Sequence, residues 1–227
     1  RYWIGVLVLK WSKQALRSSM LLYAITDRRW LQGRSLALVT EEVLQNGATF
    51  LQLREKELPF KEFLAEAIEL SRLAQQYHIP FVVNDNIEVA LECGADGVHV
   101  GQSDIVGKDV RSLIGPDRIL GISANGVASA KDAEAAGADY IGVGAVFNTT
   151  TKNDAEYLSI ADVQEIVDAV SIPVVAIGGI DDTNVLQLSH SGVDGVAIIS
   201  AIFAQRNPGA ATAHLLQLAQ QMISQRS

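Results

Sequence analysis

The feature of this chain that most restricts its fold is an alternation that begins at Leu21 and runs to the C-terminal region: a short apolar or β-branched run, a loop, then an amphipathic stretch. Apolar runs at 21–25, 49–53, 81–84, 97–100, 119–122, 140–143, 174–177 and 195–199 predict eight strands. Stretches 60–77, 128–136 and 160–170 predict helices between strands, and 210–223 a helix after the last. A chain that returns through a helix before each new strand builds a parallel sheet. Val174-Val175-Ala176-Ile177 is apolar at every position, as expected of a strand covered on both faces. Eight such units with no second domain predict α/β architecture in a single (β/α)8 TIM barrel over residues 20–227, and 227 residues suit a fold that typically takes about 250.

Residues 1–19 read as an N-terminal extension, either a leader or an accessory helix. The apolar run 3–9 is too short to span a bilayer, and Ser18-Ser19 is a poor signal cleavage site. Met20, directly before the first strand, is a candidate start of the natural chain.

One phrase recurs inside the alternation: Gly94-Ala95-Asp96-Gly97-Val98, Gly137-Ala138-Asp139-Tyr140-Ile141 and Gly192-Val193-Asp194-Gly195-Val196. Each glycine is placed to end a helix in the left-handed conformation, and a strand follows. The aspartates then stand at the N-terminal ends of strands, the barrel face associated with stability, and are left out of the site.

Acids outnumber bases 26 to 18, for a formal charge of −8, which argues against a broad nucleic-acid surface. Local phosphate binding is still allowed, because glycine-rich loops present backbone N–H groups whatever the net charge. The single cysteine, Cys93, permits no intrachain disulfide and fits a reducing cytoplasm; beside Gly94 it reads as a buried small residue, not a nucleophile. No membrane partner is expected, and a homo-oligomer is left open.

In a barrel the reactive groups sit at the C-terminal ends of strands. The polar clusters of this chain fall there: Thr26-Asp27, Gln52-Leu53-Arg54-Glu55-Lys56, Asn84-Asp85, Gly101-Gln102-Ser103-Asp104, Ser123, Asn148-Thr149-Thr150-Thr151-Lys152, Gly178-Gly179 and Ile199-Ser200. Arg54, Lys56 and Lys152 would converge on one mouth, faced by Asp85 and Asp104. Adjacent strands lie about 5 Å apart, so two carboxylates at their tops can share a cation. Oxygen ligands without a Cys or His pair favour Mg²⁺, which usually takes one or two carboxylates plus substrate phosphates. The basic residues would cover the remaining phosphate charge, making a diphosphate site. Gly178-Gly179 and Ile199-Ser200 follow strands seven and eight, where many barrels bind a monophosphate through backbone N–H groups.

Each element also has a plainer reading. Asp85, between Asn84 and Asn86, reads alone as a helix cap, and Asp104 could cap the segment after it. Arg54-Glu55-Lys56 alone reads as a solvated charged loop, with Glu55 a tether for a neighbouring cation. Residues 149–151 alone could be a polar linker, and Gly178-Gly179 a tight turn. His99 reads as a packed or hydrogen-bonded strand residue without a catalytic role. Only the joint placement of the acids and bases on neighbouring strand tops favours a site.

Residues 52–56, Asn84-Asp85, Gly97-Val98-His99-Val100-Gly101-Gln102-Ser103-Asp104, Gly121-Ile122-Ser123-Ala124, 149–152 and Ala176-Ile177-Gly178-Gly179-Ile180 resemble, in order, the signature segments of the thiamine-phosphate synthases. The resemblance covers about 21–225. It implies a transferase that joins a hydroxymethylpyrimidine diphosphate to a thiazole phosphate and releases diphosphate. It implies Mg²⁺ on Asp85 and Asp104, with the diphosphate held by Arg54, Lys56, Asn84 and Lys152. Gln52 and Ser123 would lie close to the pyrimidine. Thr149, Thr151, Gly179, Ile199 and Ser200 would hold the thiazole phosphate. Of these, Arg54, Lys56, Lys152 and Ser123 are the candidates for direct catalytic action. Ala145 and Asn148 depart from the family, which often has proline there. Two other functions fit the barrel: the related thiazole tautomerase, which needs neither the paired aspartates nor the threonine-lysine loop, and a non-catalytic phosphate-ligand sensor, which needs no leaving-group activation.

Overall fold

The computed structural model describes residues 11–102, 109–148 and 157–225. Eight parallel strands close into one barrel in chain order: β1 (Leu22–Ile25), β2 (Phe50–Leu53), β3 (Phe81–Asn84), β4 (Gly97–Val100), β5 (Ile119–Ala124), β6 (Tyr140–Val143), β7 (Val174–Ile177) and β8 (Gly195–Ile198). β8 pairs back onto β1 through Leu22↔Val196, so the ladder has no edge. All eight strands stand where the apolar runs predict them, which bears out the barrel. β5 runs two residues past its predicted end, because Ser123 and Ala124 pair with Gly142 and Val143. Ser123 is therefore a strand residue, not a loop residue.

The helices are α1 (Lys13–Ser19), α2 (Leu36–Gln45), α3 (Phe60–Gln76), α4 (Ile87–Glu92), α5 (Val110–Ile114), α6 (Val127–Ala135), α7 (Ile160–Ala169), α8 (Ser200–Phe203) and α9 (Pro208–Ser224). Local chemistry sets their starts: Ser35 caps α2, Ser159 and Asp162 form a capping box on α7, and Pro208 sits in the first turn of α9 behind Asn207. Between β7 and β8 a short 3-10 turn, Val185–Leu188, replaces a full helix.

Strand side chains alternate between two apolar cores. Leu22, Ala24, Leu51, Leu53, Val83 and Val98 point outward and join the helices in one cluster. Tyr23, Ile25, Phe50, Val82, Ile119, Tyr140, Val175 and Ala197 point inward and form a second. Tyr23, Phe50 and Tyr140 meet there with ring centroids 4.3–5.8 Å apart, a spacing at which tilted aromatic pairs attract. Leu16 of α1 and Met20 belong to this inner cluster, so α1 closes the barrel's lower end. Arg17 anchors it, donating to Asp194 Oδ1 and to the carbonyl of Ser171, both at 2.8 Å.

The recurring glycine-aspartate phrase does the same job three times. Gly94, Gly137 and Gly192 have φ of 68°, 85° and 82°. Each aspartate then bonds the start of the preceding strand twice. Asp96 Oδ2 accepts from Phe81 N while its own N–H donates to Phe81 O. Asp139 does this with Leu120, and Asp194 with Val174. These carboxylates hold strand starts in register at the lower face, far from the strand tops. Asp194→Ala leaves the buried Val174 N–H and Arg17 without that acceptor. The expected cost is about 1–3 kcal/mol, a fall of a few degrees or more in Tm for a chain of this size, with catalytic constants of the folded fraction unchanged. A Tm equal to the parent's would show that the phrase does not brace the barrel.

Candidate functional site at the barrel mouth

The strand tops enclose a cavity of about 760 Å³, within the usual range for small-molecule sites. On one side β2 and β3 supply Gln52, Arg54, Lys56, Asn84 and Asp85. Lys56 Nζ donates to Asp85 Oδ2 at 2.5 Å, and Asn84 Nδ2 donates to the same oxygen at 2.7 Å. Asp85 has φ of 61°, a left-handed conformation that aspartate tolerates better than most residues. The cap of α4 is Asn86, whose side chain accepts from Val89 N. The capping reading of Asp85 is thereby corrected: its carboxylate faces the cavity with a cation and an amide. Oδ1 takes no hydrogen bond among the described residues.

Glu55 faces away from the cavity and organises the loop that carries its neighbours. Its Oε1 accepts from the N–H groups of Lys56, Glu57 and Leu58, and its Oε2 is paired with Arg28. It thus tethers the loop's backbone and Arg28, not the side chains of Arg54 or Lys56. Arg28 also donates to Glu66 Oε1 at 2.8 Å. Burial opposes the charge on Glu55, but the Glu57 N–H, Arg28 and the Lys56 N–H outweigh it, so its pKa lies below the usual carboxylate value. Burial dominates at Glu66, whose pKa is raised despite Arg28. Thr26 Oγ1 accepts from Arg54 N at 3.0 Å. Arg54 makes no ion pair among the described residues, which leaves its guanidinium for a ligand.

The floor is a chain of hydrogen bonds across five strands. Gln52 Nε2 donates to Tyr23 Oη at 2.6 Å, Tyr23 and Tyr140 share a 2.6 Å bond, Tyr140 meets His99 Nδ1 at 2.9 Å, and His99 Nε2 meets Ser123 Oγ at 3.0 Å. Gln102 Nε2 donates to Ser123 O at 2.6 Å.

The opposite rim is formed by Gly178, Gly179, Ile180, Ile199 and Ser200. The N–H groups of Gly179 and Ile180 donate to no protein group among the described residues, and both residues line the cavity. The glycines also have a packing role. Val146 N and Phe147 N donate to Ile177 O and Gly178 O, and a Cβ on Gly179 would sit 2.3 Å from Asn148 O. This pins the loop containing Ala145 and Asn148, which Leu158 N also ties through Ala145 O at 2.8 Å.

A family model described as thiamine monophosphate synthase matches residues 22–202. A curated thiamine-phosphate synthase from Ruminiclostridium cellulolyticum is 45% identical over 197 residues, covering 87% of this chain and 94% of that protein. One from Methanobrevibacter smithii is 44% identical over 196 residues, covering 86% and 93%. The chain belongs to the thiamine monophosphate synthase family. A solved family structure, the thiamine phosphate pyrophosphorylase from Pyrococcus furiosus, is 38% identical with a TM-score of 0.84, covering 92% of this chain and 99% of that one. The solved orotidine 5'-phosphate decarboxylase from Pyrococcus horikoshii, at 12% identity and a TM-score of 0.63 over 87% and 99% of the two chains, shares the fold alone.

Of the residues that sequence points to, Gln52, Arg54, Lys56, Asn84, Asp85, Ser123, Gly179, Ile199 and Ser200 all line this cavity. Asp104, Thr149, Thr151 and Lys152 lie outside the described residues. Sequence reading passed over Tyr23 and Tyr140, and gave His99 no more than a packed or bonded place. The signal was present: an inward tyrosine in a strand needs a partner for its hydroxyl.

The lowered pKa of Glu55 makes acid stability a test of the loop's support. A carboxylate with a depressed folded-state pKa stabilises above its unfolded value, about 4.3, and that contribution is lost as pH falls through the lower folded value. Glu55→Gln should therefore cost about 1–3 kcal/mol near pH 7. The gap to the parent should shrink as pH drops below 4, read from denaturant midpoints. A gap constant from pH 7 to 3.5 would contradict the charge-based support.

Proposed function

We propose that the chain is a thiamine-phosphate synthase: it joins a 4-amino-2-methylpyrimidine methyl diphosphate to a thiazole phosphate and releases diphosphate. The observation that carries this reading is one cavity lined on one side by Arg54, Lys56, Asn84 and Asp85 and on the other by Gly179 and Ile180, whose N–H groups donate to no protein group among the described residues. It offers two anion sites on one floor, as two phosphorylated substrates require, and the family match gives those substrates.

In this reading the pyrimidine lies over Gln52 and Ser123. Its diphosphate extends to Arg54, Lys56 and Asn84, with Lys152 completing the set. The thiazole phosphate is held at the far rim by Gly179, Ile199, Ser200, Thr149 and Thr151. Departure of diphosphate leaves positive charge on the electron-rich aminopyrimidine, and the thiazole nitrogen attacks the exposed carbon. Arg54 and Lys56 are fixed where negative charge grows on the leaving group, so they favour the transition state over the ground state. Ser123 orients the ring, and the apolar walls Ile25, Val175, Ile177 and Ala197 limit water near the cationic carbon. No protein nucleophile or strong base is required.

The donor set fits Mg²⁺. Asp85 presents a hard oxygen whose Oδ1 is not engaged within the described residues, and no cluster of three His, Cys, Asp or Glu stands among them. Asp85 and Asp104 would hold the ion, with substrate phosphates supplying further ligands. It would neutralise charge on the departing diphosphate. The enzyme acts in the cytoplasm in this reading, with two small-molecule partners. No helix among the described residues is long and apolar enough to cross a membrane.

Purified protein with both substrates and Mg²⁺ should release diphosphate and thiamine phosphate in equal amounts, and EDTA should stop it. Isomerisation of a thiazole alone would favour the tautomerase. Asp85→Asn keeps a residue that tolerates positive φ, so it should fold normally while turnover falls by at least about 100-fold. Unchanged turnover in that variant would remove Asp85 from the metal site.

A further inference from the structure

The chain of hydrogen bonds on the cavity floor has a direction. Gln52 Nε2 can only donate, so Tyr23 Oη accepts there and has its one proton left for Tyr140. Tyr140 then spends its proton on His99 Nδ1. An imidazole nitrogen that accepts carries no hydrogen, so neutral His99 holds its proton on Nε2 and donates it to Ser123 Oγ. Ser123 accepts from within the protein, and its own hydroxyl hydrogen is left for the cavity that it lines.

Two further observations show that the chain is built in. Burial raises the pKa of both phenols, and the bonds from Tyr140 and Gln52 offset this only in part at Tyr23, so neither phenol loses the proton that the chain needs. The meeting of Tyr140 and His99 depends on a missing side chain. A Cβ on Gly121 would lie 2.2 Å from Tyr140 Cζ and 2.5 Å from His99 Nδ1, and one on Gly142 would lie 3.3 Å from His99 Cε1.

We propose that Tyr23, Tyr140 and His99 are positioning residues: a one-way relay from Gln52 that locks His99 in its Nε2–H tautomer and turns Ser123 into a hydrogen-bond donor toward the bound pyrimidine. The relay selects a ring that offers an acceptor nitrogen at Ser123. The inference rests on the synthase reading for the identity of that ring, but not for the relay itself. With the Gln52 amide turned over, every bond would reverse. His99 would carry its proton on Nδ1, and Ser123 would face the ligand as an acceptor.

The tautomer is directly observable. His78, His190 and His214 are exposed, so His78→Asn with His190→Gln and His214→Gln leaves His99 as the lone imidazole of the folded protein. Two-bond ¹H–¹⁵N spectra of that protein, without substrate, should show the Nε2–H form. The Nδ1–H form overturns the relay as drawn. Adding Tyr140→Phe should release the lock and give mixed tautomers. It should also raise KM for the pyrimidine diphosphate about tenfold, the scale of one lost oriented hydrogen bond, while KM for the thiazole phosphate stays within about twofold. Wild-type tautomer populations and KM in the Tyr140→Phe protein would also overturn it. If Tyr140→Phe fails to fold, the spectrum of the parent still decides. Active protein with Nδ1–H sinks the relay alone, whereas inactive protein with Nε2–H sinks the synthase reading alone.

Discussion

The closure of eight parallel strands into one edgeless ladder is the constraint on which the rest depends. Strand side chains alternate with a period of two, so once the register closes, every position is either inside or outside, and a slip of one residue would exchange the two sets. That parity puts Tyr23, Gln52, His99, Ser123 and Tyr140 in one polar layer across the barrel and sends Leu51, Leu53, Val83 and Val98 to the helices. The aspartates at the strand starts secure the register at the lower face. Each ties two adjacent strands through a carboxylate and a backbone N–H, so the upper face need not supply stability and is open to function.

At the mouth the charges fall into two groups with different work. Arg54, Lys56 and Asp85 face the cavity, and Lys56 and Asp85 are partly solvated, so their pairing adds little to stability. Glu55 and Glu66 are more buried, and with Arg28 they hold the loop in place. A loop whose N–H groups at 56, 57 and 58 share one carboxylate oxygen has little freedom. The backbone from which the two cationic side chains project is therefore set before a ligand arrives. Preorganised charge of this kind is what a departing diphosphate needs, because the protein then has no reorganisation to perform as the bond breaks.

In the proposed reading, floor and rim answer different parts of the two-substrate problem. The floor is buried, polar and internally bonded, suited to reading the edge of a flat heterocycle. The rim offers backbone N–H groups beside two glycines that the neighbouring loop presses against closely, suited to a phosphate of no particular side-chain preference. Membership of the thiamine monophosphate synthase family agrees with that division of a single cavity.

The sequence by itself determined the order of strands and helices, the barrel, and most of the residues at its mouth, because these depend on local signals. Apolar runs mark buried strands, glycine-aspartate phrases mark strand starts, and polar clusters after strands can only collect at one end of a barrel. It did not decide which of Asn84, Asp85 and Asn86 caps α4. All three are competent, and the backbone turn at Asp85 awards the task to Asn86 and the cavity to Asp85. Nor did it separate Glu55 from its cationic neighbours, since side-chain direction in a loop depends on Arg28, which lies on another loop. The floor was hidden for the same reason. Tyr23, Tyr140 and His99 are unremarkable strand residues one at a time, and only closure of the ladder, with Gly121 leaving room between them, brings their polar atoms within 3 Å of one another.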